Sequence, residues 1–193
     1  MRPVASPLFQ GLSAEEWAAL EQSGCLRTKS YPRHAVIFHA GAQVHALGVV
    51  LRGTVHIENL DLWGSKSILS SISAGQAFAE TYAFCGEALM VDAVAAEHCE
   101  ILFLHTAALT DARIEPALQD KLLRRLLAVS MRKNLSLSQR IFCTTPKTVR
   151  GRLLTYFSAQ AARCGRMEFE VPFNRQQMAD YLNLDRSALS KEL

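Results

Sequence analysis

The chain has 193 residues, of which 49% are hydrophobic and 20% are charged, and its formal net charge is +3. These proportions are ordinary for a soluble globular protein with one large domain or two small ones. Nowhere does an apolar run reach the roughly 18 residues of a membrane span, and the stretch from Met1 to Leu12 lacks the apolar core of a signal peptide. We therefore expect a cytoplasmic protein without membrane association.

Cysteine spacing and charge distribution narrow the class further. The five cysteines are odd in number and show no C-x-x-C spacing, which disfavours a disulfide framework and a zinc ribbon. Residues 1–129 hold 10 Lys and Arg against 13 Asp and Glu, whereas residues 130–193 hold 11 against 5. The resulting net charges of −3 and +6 predict an acidic or neutral sensing half and a basic half that meets a polyanion.

The N-terminal half begins with a helix signal and continues with strand signals. Ser13 followed by Glu16 has the spacing of a capping box, which predicts a short helix. From about residue 36 to residue 104, short apolar runs alternate with polar residues and are separated by glycines, as in an antiparallel sheet with frequent turns. We predict an all-β roll or barrel with a hairpin tip at Trp63-Gly64-Ser65 and strands around residues 36–38, 47–51, 55–57, 68–69, 93–94 and 101–104.

A long helix is predicted over residues 115–142, which contain no glycine and only Pro116, at a first-turn position where proline is tolerated. Two apolar stripes run along it, and two stripes require two packing partners. We expect these partners to be the β-roll of the same chain and the same helix of a second subunit, although a helix packed twice within one domain remains the alternative. The residues assigned to the dimer helix are Leu118, Leu122, Leu126 and Val129, and the neighbouring stripe consists of Leu123, Leu127, Met131 and Leu135.

Two short capped helices are predicted at the C-terminal end, after a helix over residues 147–163 and a short strand over residues 168–173. Asn174 followed by Gln177 forms a capping box, Asn183 suits the left-handed turn that ends the first helix, and Asp185 caps the second. This arrangement predicts a helix-turn-helix, although two short helices in a small core would look alike. The exposed polar residues predicted on the second helix are Arg186, Ser187, Ser190 and Lys191.

The order of glycine-punctuated roll, long helix and the segment from Asn174 to Lys191 (NRQQMADYLNLDRSALSK) resembles the Crp/Fnr family across essentially the whole chain. The resemblance implies an α+β fold with an N-terminal antiparallel β-roll (jelly-roll-like) for effector sensing over residues 1–112, a long dimerisation helix over 113–142, and a helix-turn-helix domain of the winged type over 143–193. A wing hairpin normally follows the recognition helix in this family, so we expect the domain to be truncated here.

The resemblance also implies residue roles. Arg186 corresponds to the arginine that reads guanine, Ser187, Ser190 and Lys191 occupy the other base-contacting places, and Arg175 and Arg150 correspond to phosphate contacts. It further implies a homodimeric transcription regulator that contacts promoter DNA and RNA polymerase, and it leaves open whether the protein is an activator or a repressor. An effector pocket is expected to include Phe78, Glu80, Tyr82, Cys85, Leu89, Met90 and Val91.

The sequence departs from two effector types of the family. Members that bind cyclic nucleotides place an Arg-Ser or Arg-Thr pair where this chain has Met90 and Val91, which supply neither charge nor donors for a phosphate. Members with an iron–sulfur cluster carry several cysteines before the roll, where this chain has only Cys25. Cyclic AMP and an iron–sulfur cluster are therefore disfavoured, and the effector stays unidentified: a small apolar molecule, a redox event, or a haem held by a histidine or Cys85.

The leading functional hypothesis is an effector-responsive, sequence-specific transcription regulator that acts as a homodimer. The alternative is a sensor or scaffold module with a vestigial DNA-binding domain. An enzyme is disfavoured, because the sequence has no recognisable Ser/His/Asp set, no phosphate-cradling glycine loop and no H-E-x-x-H motif.

Overall fold

The computed structural model describes residues 5–60, 66–111 and 114–193. Within these ranges the elements follow one another along the chain as helices and strands with short connections. They are α1 (Ala14–Gln22), β1 (Leu26–Tyr31), β2 (Val36–Phe38), β3 (Ala46–Arg52), β4 (Thr54–Leu60), β5 (Lys66–Ser73), β6 (Ala77–Phe78), α2 (Glu80–Cys85), β7 (Asp92–Ala95), β8 (Cys99–His105), α3 (Ala107–Thr110), α4 (Pro116–Thr144), α5 (Val149–Cys164), α6 (Arg175–Leu182) and α7 (Arg186–Glu192).

The strands form two four-stranded sheets in which every pair is antiparallel. One sheet has the order β1-β8-β3-β6 and the other has the order β2-β7-β4-β5. Buried side chains from both sheets, among them Val50, Val55 and Ile101, belong to one apolar cluster, so the sheets pack face to face. The predicted antiparallel roll is confirmed, whereas its predicted tip at Trp63-Gly64-Ser65 lies outside the described residues.

Two strands were missed because their sequences lack the alternation on which the prediction relied. Strand β1 carries mostly polar residues, half of its positions are exposed, and it pairs along its whole length with β8. Strand β6 contains only two residues, which pair with Gly48 and Val49 of β3. Pairing with a neighbour that is distant in the sequence stabilises both strands, and single-sequence patterns do not report such a neighbour.

Helix starts and ends agree closely with the local signals. Ser13 and Glu16 form the predicted capping box of α1. The long helix α4 begins at Pro116 and continues to Thr144, two residues past the predicted end. Helix α5 begins after Thr148, whose side chain accepts a hydrogen bond from the backbone N–H of Gly151. Each of these caps joins groups only three residues apart, and sequence is informative at that range.

The strand predicted over residues 168–173 is wrong, because none of these residues belongs to a strand. The described residues that follow α4 contain no strand, so the backbone groups of this segment have no neighbouring strand with which to form hydrogen bonds. Its aromatic side chains pack on helices instead: the ring centroids of Phe169 and Phe157 lie 6.4 Å apart, and those of Phe173 and Tyr156 lie 6.1 Å apart.

The chain divides into two compact units, Met1–Ser130 and Met131–Leu193, and α4 contributes residues to both. The first unit contains the roll and its main core, which includes Leu47, Leu102 and Leu122. The second has a core of its own, centred on Tyr156, Leu182 and other residues of α5, α6 and α7. No described helix is long and apolar enough to cross a membrane.

Candidate functional site

A cavity of about 460 Å³ lies in the first unit between α2 and α4. Helix α2 follows directly on Ala79, a non-glycine residue with a left-handed backbone at φ 60°, and strained positions of this kind are enriched at binding sites. The wall is mostly apolar. Its lining residues are Glu80, Thr81, Phe84 and Cys85 of α2, and Leu123, Arg124, Leu126, Leu127 and Ser130 of α4.

Only two residues of the predicted effector pocket line this cavity, namely Glu80 and Cys85. Leu89 is buried in a separate small cluster, against which Tyr82 packs. Met90 is 78% exposed, and Val91 is half-buried. The structure therefore does not bring the predicted pocket residues together, and the cavity takes its second wall from α4, which the pocket prediction did not include.

The interior of the roll is filled with aromatic side chains. Phe78 packs against Phe38 with ring centroids 5.8 Å apart, and Phe38 packs against Phe103 at 5.6 Å. Phe78 also covers Gly48 of β3, where an added Cβ atom would lie 2.4 Å from the ring. A larger residue at position 48 would therefore displace this ring, and the space between the sheets is occupied by the chain's own side chains.

Few charged side chains line the cavity, and the arginine among them already has an acidic partner. Arg124 is the one cation among the lining residues, and its Nε lies 2.7 Å from the carboxylate of Asp120. Glu80 is buried, with 5% of its surface exposed. Cys85 supplies a free thiol, and the lining contains no histidine. In the described part of the chain, no group of three or more His, Cys, Asp or Glu residues has a metal-binding arrangement.

The second unit carries the paired helices α6 and α7. Asn174 and Gln177 form the predicted capping box, and Asn183 ends α6 in the left-handed conformation at φ 53° and ψ 54°. The carboxylate of Asp185 accepts hydrogen bonds from the backbone N–H groups of Ser187 and Ala188, which stabilises the start of α7. The pKa of Asp185 is held below its ordinary value chiefly by the bond from the Ser187 hydroxyl, and further by these backbone bonds. Ala179, which is fully buried, lies in the core that both helices share.

The residues predicted to contact DNA differ in their exposure and in whether they already bond to another residue of the chain. Arg175 and Arg186 are the first residues of α6 and α7, are exposed, and bond to no described residue. Lys191 is exposed and Ser190 is half-buried. Two of the predicted contacts already have partners, because the Ser187 hydroxyl donates to Asp185 and Arg150 Nε lies 3.8 Å from a Glu192 carboxylate oxygen.

The apolar stripe assigned to the dimer helix needs a correction. Leu118, Leu122 and Leu126 are buried in the core of their own unit, and Val129 is half-buried. The exposed stripe is the neighbouring one, which includes Leu127, Met131 and Leu135 and continues to Phe142. Both stripes have the same helical spacing, and only packing against the roll decides which of them is covered.

The comparisons with known proteins agree with this architecture. Residues 28–113 match the sequence model of the cyclic nucleotide-binding domain family, so the first unit has a domain of this type. None of the curated proteins matches the chain. Several solved structures, by contrast, are similar to it over most of its length.

One of these structures is the catabolite activator protein of Thermus thermophilus, which is 26% identical over 97% of this chain and 84% of that one, with a TM-score of 0.56. Another is FixK2 of Bradyrhizobium japonicum, at 19% identity over 86% of this chain and 82% of that one, with a TM-score of 0.56. A third is the N-terminal domain of a transcriptional regulator from Streptomyces coelicolor, at 22% identity over 68% and 92% of the two chains, with a TM-score of 0.56. The neighbours thus support a regulator with a cyclic nucleotide-binding-type domain.

Proposed function

We propose that this protein is an effector-responsive, sequence-specific DNA-binding transcription regulator of the Crp/Fnr type that acts as a homodimer. The observation that carries the proposal is the pair α6 and α7, two capped helices joined at Asn183 that expose Arg175 and Arg186 at their first residues. Two short capped helices joined by a tight turn are typical of a helix-turn-helix, in which the second helix enters the major groove of DNA. The net charge of +6 over residues 130–193 favours a polyanionic partner.

The residue roles follow from position and freedom. Arg186 projects from the start of α7, and a guanidinium there can donate two hydrogen bonds to the O6 and N7 atoms of guanine. Arg175 contacts a phosphate, and Arg150 does so after leaving Glu192, an exchange that costs little at an exposed pair. Ser187 discriminates weakly between base pairs, because its hydroxyl already donates its hydrogen bond to the carboxylate of Asp185.

The effector class follows from the cavity between α2 and α4. An apolar wall favours a small apolar or aromatic effector, or a haem ligated by Cys85. Cyclic AMP is disfavoured on two grounds. Arg124, the one cation that lines the cavity, is paired with Asp120, and Met90 and Val91, which lie outside the cavity at the sequence places of the family's phosphate contacts, supply no cation. The remaining partners, a second copy of the chain and RNA polymerase at promoters, are proposed from the resemblance to activators of this type.

The test is binding to promoter DNA over a series of salt concentrations. The affinity should fall steeply with salt, because each neutralised phosphate releases counterions. Arg186→Ala should cost about 1–3 kcal/mol and relax preference at one base pair. Arg166→Ala serves as the control, since Arg166 is an exposed arginine of the same unit without a described partner.

Two results would contradict the proposal. Binding that is insensitive to salt, or undetectable, would instead favour a sensor module with a vestigial DNA-binding domain. Full-strength binding by the Arg186→Ala protein would reject the role assigned to that side chain.

An absorption spectrum of the natively purified protein separates the effector classes, because a Soret band identifies haem. Calorimetric titration with cyclic AMP should show no binding.

A further inference from the structure

Two arginines from outside α6 bind the backbone carbonyl groups at its C-terminal end. Arg140 donates from Nε to the Tyr181 carbonyl at 3.0 Å and from Nη2 to the Asp180 carbonyl at 2.9 Å. Arg152 donates from Nη1 to the carbonyls of Leu182 and Asn183, at 3.0 Å and 2.7 Å. Four consecutive carbonyls, from Asp180 to Asn183, are therefore bonded by two guanidinium groups.

The chemistry suits the place. The last carbonyls of a helix have few partners or none inside it and carry the negative end of the helix dipole, so cations bind there favourably. Of these four carbonyls, that of Asp180 also accepts a bond from the Asn183 N–H at 3.3 Å. Arg140 belongs to α4 and Arg152 to α5, and Arg152 Nε also donates to the Pro146 carbonyl at 2.8 Å, just before α5. Both side chains are half-buried, and neither has a carboxylate partner in the described part of the chain.

These bonds act at the turn that sets the direction of α7. Asn183 adopts the left-handed conformation, and Arg186 follows three residues later as the first residue of α7. The carbonyls held by the two arginines therefore lie on the chain segment that fixes where α7 begins. A side chain that must place two hydrogen bonds on a base edge tolerates little displacement of its helix.

We propose that Arg140 and Arg152 are positioning residues, which hold the turn between α6 and α7 in the geometry required for DNA recognition without touching DNA themselves. This proposal rests on the proposed function. Arg140 donates two hydrogen bonds, from Nε and Nη2, and Arg152 donates three, from Nε and Nη1. Half of the ten N–H donors of the two guanidinium groups are therefore bonded to backbone carbonyls, which fixes both groups against the turn. We name this pair of side chains the arginine clamp.

The experiment compares Arg140→Gln, Arg152→Gln and the double variant with Arg166→Gln in the full chain. Arg166 is exposed in the same unit and has no described partner, so its variant controls for the loss of one charge. The first measurement is backbone amide hydrogen exchange. Amides of α6 and α7 should exchange about tenfold faster or more in each clamp variant, because bonds of a charged donor to helix carbonyls are lost. Amides of the roll should exchange at the same rate in every variant, and the Arg166→Gln protein should exchange like the unmodified protein throughout.

The second measurement is DNA affinity over a salt series. Each clamp variant should bind its site about tenfold more weakly, with an unchanged slope of log affinity against log salt, because no phosphate contact is removed. Arg152→Lys should recover only part of the affinity, because a lysine restores the charge but not the planar group that reaches three carbonyls from Nε and Nη1. Circular dichroism shows whether each variant remains folded, and Arg140→Lys is the substitute for a glutamine variant that does not fold.

The outcomes separate cleanly. Unchanged exchange in α6 and α7 would overturn the clamp whatever happens with DNA, and faster exchange with undiminished affinity would overturn its positioning role. A salt slope lowered by about one per arginine would make the two residues phosphate contacts and reject the proposal. If the unmodified protein does not bind DNA, the proposed function fails, while the exchange measurement still decides whether the clamp holds α7.

Discussion

The two apolar stripes of α4 should respond in opposite ways to mutation. Leu122 is fully buried, at 0% exposure, and belongs to the core of the first unit together with Leu118 and Leu126. Leu135 is 59% exposed and contacts no core. We therefore expect Leu122→Ala to reduce stability and Leu135→Lys to abolish the proposed homodimer. Leu122→Ala should have little effect on dimerisation, and Leu135→Lys should have little effect on the stability of the monomer.

The size of the first effect follows from the burial. Truncating a fully buried leucine to alanine removes its transfer free energy and leaves a cavity, at a cost of about 2–5 kcal/mol. This is a large part of the roughly 5–15 kcal/mol that stabilises a typical folded protein. For a chain of this length, the melting temperature should fall by roughly 4–20 °C.

The size of the second effect depends on the partner. In a monomer, Leu135→Lys changes an exposed position and should alter stability by less than about 0.5 kcal/mol. In a dimer closed through Leu127, Met131 and Leu135, the same change buries a lysine from each copy without a counter-ion, at several kcal/mol per ion. The protein should then become monomeric, because two such penalties are a large part of the binding free energy of an ordinary dimer.

The assays are thermal unfolding by circular dichroism and molar mass by light scattering. Leu137→Lys is the matched control, because Leu137 is 60% exposed but points away from the stripe, two residues on from Leu135. The reasoning is refuted if Leu122→Ala unfolds at the normal temperature. It also fails if Leu135→Lys keeps the mass of a dimer, or if Leu137→Lys dissociates equally.

Three further predictions concern stability. Gly53→Ala should lower the free energy of unfolding by about 3 kcal/mol or more in chemical denaturation, because Gly53 has φ +85° and an added Cβ would lie 2.6 Å from the His98 carbonyl oxygen. Gly41→Ala should cost only about 1–2 kcal/mol, because Gly41 has a similar φ of +80° but open space around it. Similar losses at both positions would reject the steric argument. Tyr156→Phe should leave the free energy of unfolding unchanged or raise it by about 1 kcal/mol, because the Tyr156 hydroxyl is buried without a described partner, and a clear loss would reveal a bond to this hydroxyl. Asp185 has a lowered pKa in the folded protein, chiefly through the Ser187 hydroxyl, so its stabilising effect on α7 should be complete above the unfolded pKa near 3.8 and be lost as the pH falls through the lower folded value. Asp185→Asn should remove this part of the acid titration of stability, and an unchanged acid limb would speak against it.

The sequence by itself determined the features whose cause lies within a few residues. Ser13 with Glu16, and Asn174 with Gln177, form their capping boxes as predicted, because the bonded groups are three residues apart. Asn183 takes the left-handed conformation because its short polar side chain tolerates it better than most residues do. The main strands of the roll were likewise predictable, since alternation reports the burial of one sheet face.

Only the tertiary structure decided which surfaces meet. The stripe with Leu122 and the stripe with Leu135 are equally apolar in the sequence, and the shape of the roll selects the first for burial. The walls of the cavity come from α2 and α4, which are separated by about thirty residues of chain. The clamp joins Arg140 to a carbonyl 41 residues away. Contacts of this range depend on three-dimensional packing, which no local propensity encodes, because their free energy appears only after distant elements have been brought together.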